Sequence, residues 1–350
     1  MSTAREMPGE RRRLRVWPIA LVATLTLFAA WLGAHHLREV PPDPFADESF
    51  APAASAEENG LTVARTLSRP RGDGLTRELV DGGLSPEEAW ELATERLLTL
   101  REEVAPMRET FDTLDARPRF VEDCAPGFDA PCELLPVMWS TELAGVVALA
   151  EVAELTPFDE EPHVDDGAWR RADHRLARAV DRARDFHASS YSLVGIMVGI
   201  AALARVVETA APVVHGARAR GARLPALEAA LEAPFPERSL RRGFVFDQRM
   251  MRRAVADQAW GLLFDRARTV GEIDAHTEAL VAYADDPSRP APLLRPHADQ
   301  PLWWLYDPGG KALLDMMLTD GSRLVPQATT RLRDAESARI ALLATMREAQ

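Results

Sequence analysis

The chain has 350 residues, 47 % of them apolar, and a net charge of −13. That apolar content furnishes one large or two ordinary domains and speaks against wholesale disorder. An acidic surface repels nucleic acid phosphates, so no nucleic acid partner is expected. Lys311 is the only lysine, and Arg and Ala are frequent along the whole chain. That usage reads as coding bias and carries no mechanism.

The N-terminus departs from the acidic balance. Residues 1–15 form a basic tail with Arg5, Arg11, Arg12, Arg13 and Arg15 against Glu6 and Glu10. Residues 16–34, VWPIALVATLTLFAAWLGA, contain no charge. As a helix they span about 28 Å, close to the thickness of a bilayer core. Pro18 falls in the first turn, where a missing N–H costs little. Trp17 and Trp31 lie near the two ends, where amphipathic rings favour the interface. The arginine cluster predicts a cytoplasmic N-terminus, a single pass of a bacterial inner membrane and a periplasmic remainder. A cleaved signal peptide is the competing reading. Its best cut, after Ala34, leaves Leu32 at −3, a poor match, and the apolar run is longer than a secretory core.

Residues 35–83, with PPDP, APAAS, RGDG and DGG, read as a linker. Arg71-Gly72-Asp73 within it reads as a chance tripeptide. The helical domain is expected over 84–350. Ser85-Pro86-Glu87-Glu88 has the form of a capping box with Pro at the first helical position. Trp90, Ala93, Leu97, Leu100, Val104, Met107, Phe111 and Leu114 then recur at helical spacing, with a kink expected at Pro106. A stripe this long needs a partner helix, in the same chain or in another protein.

Cys124 and Cys132 lie eight apart in a Pro/Gly-containing loop. In an oxidising compartment they are expected to pair, contributing up to about 2–3 kcal/mol. A helix from 136 to 155 and an acidic loop from Asp159 to Asp166 follow. The longest element is expected from 168 to 211, amphipathic and Arg/Asp-rich in its first half, apolar on all faces in LVGIMVGIAALA. Twelve apolar residues are too few to span a bilayer and suit a buried central helix. Ser189, Ser190 and Ser192 mark a kink or break. Further helices are expected over 224–233, over 239–265, from a capping box at Thr269-Val270-Gly271-Glu272, from Asp307-Pro308 to about 318, and after Pro326 to the end. No segment alternates as a strand does, so the fold class is all-α with a long central helix.

Chemistry-bearing patterns are sparse. His174 and His187 are 13 residues apart and diverge around a helix, and no H-E-x-x-H occurs, so zinc is not expected. The Asp159–Asp166 cluster lacks the spacing and turn glycine of a calcium loop. Tyr306-Asp307-Pro308-Gly309-Gly310-Lys311 lacks the first glycine and the Ser/Thr of a phosphate loop, and reads as a helix start. Arg205 and Glu208 read as an ion pair at a helix rim. The serines lack a G-x-S-x-G elbow. Trp303, Trp304, Tyr306 and Lys311 are the candidates for a ligand or partner contact, through aromatic stacking and an anion at a helix start. No catalytic residue, metal or cofactor is indicated.

The segments SLVGIMVGIAALARVVE, RRGFVFDQRMM, WWLYDPGGKALL and the closing RLRDAESARIALLA helix are ordered as in uncharacterised bacterial membrane-anchored helical proteins, which this half of the chain resembles. The resemblance implies the anchored helical topology and assigns no site. Two functions are compatible with the sequence. One is a non-enzymatic envelope scaffold that binds another envelope protein or itself. The other is a carrier or sensor of a hydrophobic or envelope-derived ligand, since helical bundles enclose apolar pockets.

Overall fold

The computed structural model describes residues 21–30, 38–50, 54–67, 74–123, 133–153, 166–237, 240–257, 265–292, 311, 314 and 323–348. Every regular element among them is a helix, beside one isolated bridge between Asn59 and Arg119. In chain order these are α1 (Leu21–Ala30), α2 (Gly60–Ala64), α3 (Leu75–Asp81), α4 (Pro86–Glu95), α5 (Leu97–Asp115), α6 (Leu135–Ala153) and α7 (Asp166–Ser189). Then come α8 (Leu193–Arg220), α9 (Pro225–Glu232), α10 (Arg241–Asp257), α11 (Arg266–Asp285) and α12 (Leu324–Arg347). The chain divides into two compact units. One comprises Met1–Asp47, Met251–Ala279 and Leu293–Asp320, the other Glu48–Met250, Leu280–Pro292 and Gly321–Gln350.

The larger unit is built around α6, α7 and α8, which pack on one another. α4 and α12 lie against α8, α5 against α6, and α9 against α7. α6 is buried almost all round, and its two buried hydroxyls are satisfied within the helix: Ser140 donates to the Val137 carbonyl at 2.8 Å and Thr141 to Met138 at 2.8 Å. Small residues let α8 receive its neighbours closely. A Cβ on Gly145 of α6 would stand 2.4 Å from the Cβ of Thr209 in α8. α8 starts at Ser192, whose hydroxyl accepts the Gly195 N–H at 2.8 Å, and ends at Gly221, held at φ +66°. That left-handed conformation suits glycine, which has no Cβ to clash. α6 and α8 are long and apolar enough to cross a membrane, with 83 % and 56 % of their most apolar windows buried in the protein.

Several sequence expectations change. The 168–211 element is two helices, separated at Ser190–Ser192, and the second runs on to Arg220. The helix that starts at the Ser85 capping box, which forms as expected, stops at Glu95; α5 then continues through Pro106 without a break. Much of the stretch read as a linker is folded onto the larger unit. Leu61, Ala64, Leu67 and Leu75 are buried there. The Asn59 side chain accepts the N–H groups of Leu61 (3.1 Å) and Val121 (3.0 Å) and donates to the Val121 carbonyl (2.9 Å). A polar, glycine-containing segment thus docks through side-chain to backbone bonds that leave no apolar periodicity to read.

The smaller unit has a core of Val255, Val270, Ile273 and Leu314, with Val40 and Met251 packed on it. Arg252 bonds Asp274 at 2.5 Å and the Pro41 carbonyl at 2.6 Å. The Thr269 capping box does not form: α11 starts three residues earlier, where the Asp265 carboxylate accepts the Arg268 N–H at 3.0 Å. Glu272 pairs instead with Arg268 at 2.8 Å.

Candidate functional site

Two clefts border α12 in the larger unit. The first, of about 880 Å³, lies between the α3–α4 turn, the second half of α8 and the C-terminal half of α12. Its apolar surface includes Val80, Leu84, Val207, Ala211, Pro212 and Leu342. The residues it takes from α8, Arg205 to Arg218, extend about 20 Å along the helix. Pro212 has no N–H to offer the Glu208 carbonyl, so one rung of the helical ladder is missing beside this cleft. Its near end carries Arg205, bonded to Glu208 at 2.9 Å and facing Glu142 at 3.5 Å. The pair expected from sequence therefore forms, and a buried acid from α6 joins it. His215 and Arg218 stand towards the far end, while Asp81 and Glu87 come from the α3–α4 side.

The packing that shapes this cleft is tight. The Trp90 indole lies on Gly216, where a Cβ would come within 2.2 Å of the ring, and it stacks on Trp169 with centroids 6.3 Å apart. Arg220 covers Trp90 at 5.7 Å from the ring centre, and burial lowers its pKa. The opposite wall, α12, is tied down by charged hydrogen bonds. Glu336 accepts the Phe235 N–H at 3.1 Å and pairs with Arg339, whose guanidinium also makes a short bond to the Leu231 carbonyl. The Arg339 bond holds the Glu336 carboxyl below the usual range.

The second cleft, of about 900 Å³, lies between Ile200, Phe235, Leu240, Val325 and Leu332, with His187 in its wall. His187 is buried, and its Nε2 lies 3.1 Å from the Pro236 carbonyl. Gly199 leaves room for the imidazole, since a Cβ there would stand 3.1 Å from Nδ1. His174 is exposed on the same helix, so the two histidines do diverge.

A charged cluster that the sequence reading missed lies between α5, α6 and α7. Arg175 bonds Asp112 (3.0 Å), Asp115 (3.1 Å) and Glu151 (3.1 Å), and Arg182 makes a short bond to Asp115. Burial raises the Glu151 carboxyl, against the pull of Arg175, and lowers the Arg182 guanidinium. The sequence alone marks only an amphipathic, Arg- and Asp-rich half-helix here. The clue was available: Arg175 and Arg182 are one heptad apart and adjoin the apolar stripe at Leu176 and Ala183.

Trp303, Trp304 and Tyr306 lie outside the described residues, as do Cys124, Cys132, His163 and residues 159–165. Lys311 is described: it is helical and buried in the smaller unit, beside the core residue Leu314. No group of three or more metal-ligating side chains occurs among the described residues. No protein-family model matches the chain, and no curated protein or solved structure matches it either. The assignment of function therefore rests on this chain's own geometry.

Proposed function

We propose that this protein is a membrane-tethered helical module that binds an elongated amphipathic ligand in the cleft between α4, α8 and α12. The observation that carries the reading is the cleft itself, about 880 Å³ in volume, apolar along its floor and polar at both ends. Small-molecule sites have this size and this mixture of apolar lining with a few polar groups. A ligand with an apolar body along Val207, Ala211 and Leu342 and a polar group at the rim matches the side chains present. Charges of both signs at the rim favour an uncharged or internally balanced head over a strongly ionic one. Tethering through residues 16–34 places such a domain beside a bilayer, on the periplasmic side by the positive-inside rule. The side chains of Leu21, Val22, Leu25, Leu27 and Phe28 are all exposed on α1, which supports a lipid environment for them.

Native mass spectrometry of the full-length protein, extracted gently from its own membranes, tests the reading. A small added mass that Ala211→Trp abolishes is the expected result. A bare monomer under the same conditions counts against it. A second reading, an envelope scaffold that binds another protein or itself, is favoured by separate apolar exposure at Val194 (63 %) and Leu135 (59 %). Added protein mass in the same spectrum is its signature.

A further inference from the structure

The chain that leaves the apolar N-terminal segment is fastened almost at once to the smaller unit. Arg38 faces the buried Asp265 carboxylate at 3.9 Å, at the start of α11. Val40 packs on the core of that unit. The Pro41 carbonyl accepts a bond from Arg252, near the end of α10, at 2.6 Å, and Arg252 is itself held by Asp274 of α11. Asp43 then closes a turn: its side chain accepts the Phe45 N–H at 3.0 Å and its carbonyl accepts the Ala46 N–H at 3.3 Å. Pro41, Pro42 and Pro44 restrict the backbone along this stretch.

These contacts set how far the unit can stand from the apolar segment. A free linker over residues 35–83 would have an end-to-end distance of about 35–42 Å. Only four residue steps separate Ala34, the last of the uncharged run, from Arg38. Fully extended, they reach about 14 Å. The polar layer outside a bilayer's hydrocarbon core takes up about 5–7 Å of that. The remainder, under about 10 Å, is no more than the width of one helix with its side chains. A folded unit held this close cannot clear the headgroups. The surface nearest the attachment is the first turn of α11. Arg38, with its side chain 63 % exposed, and the exposed Arg266 offer guanidinium donors that suit phosphate oxygens. The exposed Glu39 and the buried Asp265 balance their charge, so this surface suits phosphate contacts without a preference for anionic lipid.

We infer that the smaller unit is a collar seated on the phospholipid surface, with Arg38 and Arg266 at the headgroup phosphates and the membrane anchor joined to it at Val40 and Pro41. This placement depends on residues 16–34 spanning a bilayer, as proposed above. The short tether, rather than net charge, holds the unit there.

Photo-cross-linking of the full-length protein in phosphatidylcholine vesicles tests the collar. Arg266→p-benzoylphenylalanine should capture phospholipid on irradiation, read as one lipid mass added to the protein. Insertion of about twenty Gly/Ser residues between Leu37 and Arg38 adds a coil of about 22–27 Å and should abolish that adduct. An adduct that survives the spacer overturns the collar. Alkaline carbonate extraction of the same vesicles separates the two readings. Protein that stays with the lipid yet gives no adduct overturns the collar alone. Release from the lipid overturns the membrane anchor, and the collar with it. Should the Arg266 variant fail to fold, the same probe in place of the exposed Glu39 decides by the same outcomes.

Discussion

Gly216 and Trp90 are in direct contact, the indole ring resting where a side chain on α8 would begin. A Cβ there would meet three ring carbons at 2.2–2.4 Å, and the ring is held from behind by Trp169. Gly216→Ala should therefore push α4 outward rather than be absorbed locally. Overpacking of this kind costs about 1–3 kcal/mol. Chemical denaturation should show the loss, and the mass of any cleft-bound ligand should fall with it, because α4 forms one wall.

Asp115 joins two buried arginines, with its partner Arg182 only 3 % exposed. Asp115→Ala leaves that guanidinium without its carboxylate inside the protein, and should cost about 3–5 kcal/mol in denaturation experiments. Asp112 contacts the same Arg175 from a position 72 % exposed to solvent. Its replacement by alanine should cost less than about 1 kcal/mol, since water already screens that pair. Equal effects at the two sites would show that burial does not set the strength of this cluster.

Glu336 ties α12 to the segment after α9, and its bond to Arg339 lowers its pKa from the ordinary value of 4.5. A depressed carboxyl contributes stability that is present above the ordinary value and lost as pH falls through the folded one. Glu336→Gln should thus be less stable than the wild type at neutral pH. The gap should close on acidification below about pH 4. Urea denaturation across pH reads this directly, and a gap that persists in acid would assign the effect to shape rather than charge.

Cys124 and Cys132 carry an expectation from compartment and spacing. Unfolded, unreduced protein from native membranes should take up no alkylating reagent, and reduced protein should be labelled at both positions. Labelling before reduction would place the pair in the thiol state.

Much of the helical layout was legible because it rests on local rules. The stripe Trp169, Ala172, Leu176, Ala179, Ala183 and Phe186 is buried as its spacing required. The Ser85–Glu88 capping box forms because its donors and acceptors lie within one turn. Thr269–Glu272 carries the same pattern and does not cap, since Asp265 reaches the first amides of α11 sooner. The pattern is necessary for a cap but does not choose between competing starts. Residues 35–83 read as a linker because described parts of that stretch are held by side-chain bonds to backbone, from Asn59 to Val121 and from Glu103, which accepts the N–H of Leu75 at 2.9 Å. Such bonds have no periodicity.

The sequence by itself determined the all-α class, the apolar stripes, the Ser85 helix cap and the apolar segment near the N-terminus. Each follows from forces that act over a few residues: hydrophobic spacing, capping and the transfer of side chains from water. Only the tertiary structure decided where the clefts open, that Arg175 and Arg182 are buried, and that Glu122 accepts the N–H groups of Tyr191 and Ser192 at the start of α8. Glu122 and Ser192 are 70 positions apart in the sequence. Their bond depends on which segments pack together, a property of the assembled chain and of no segment within it.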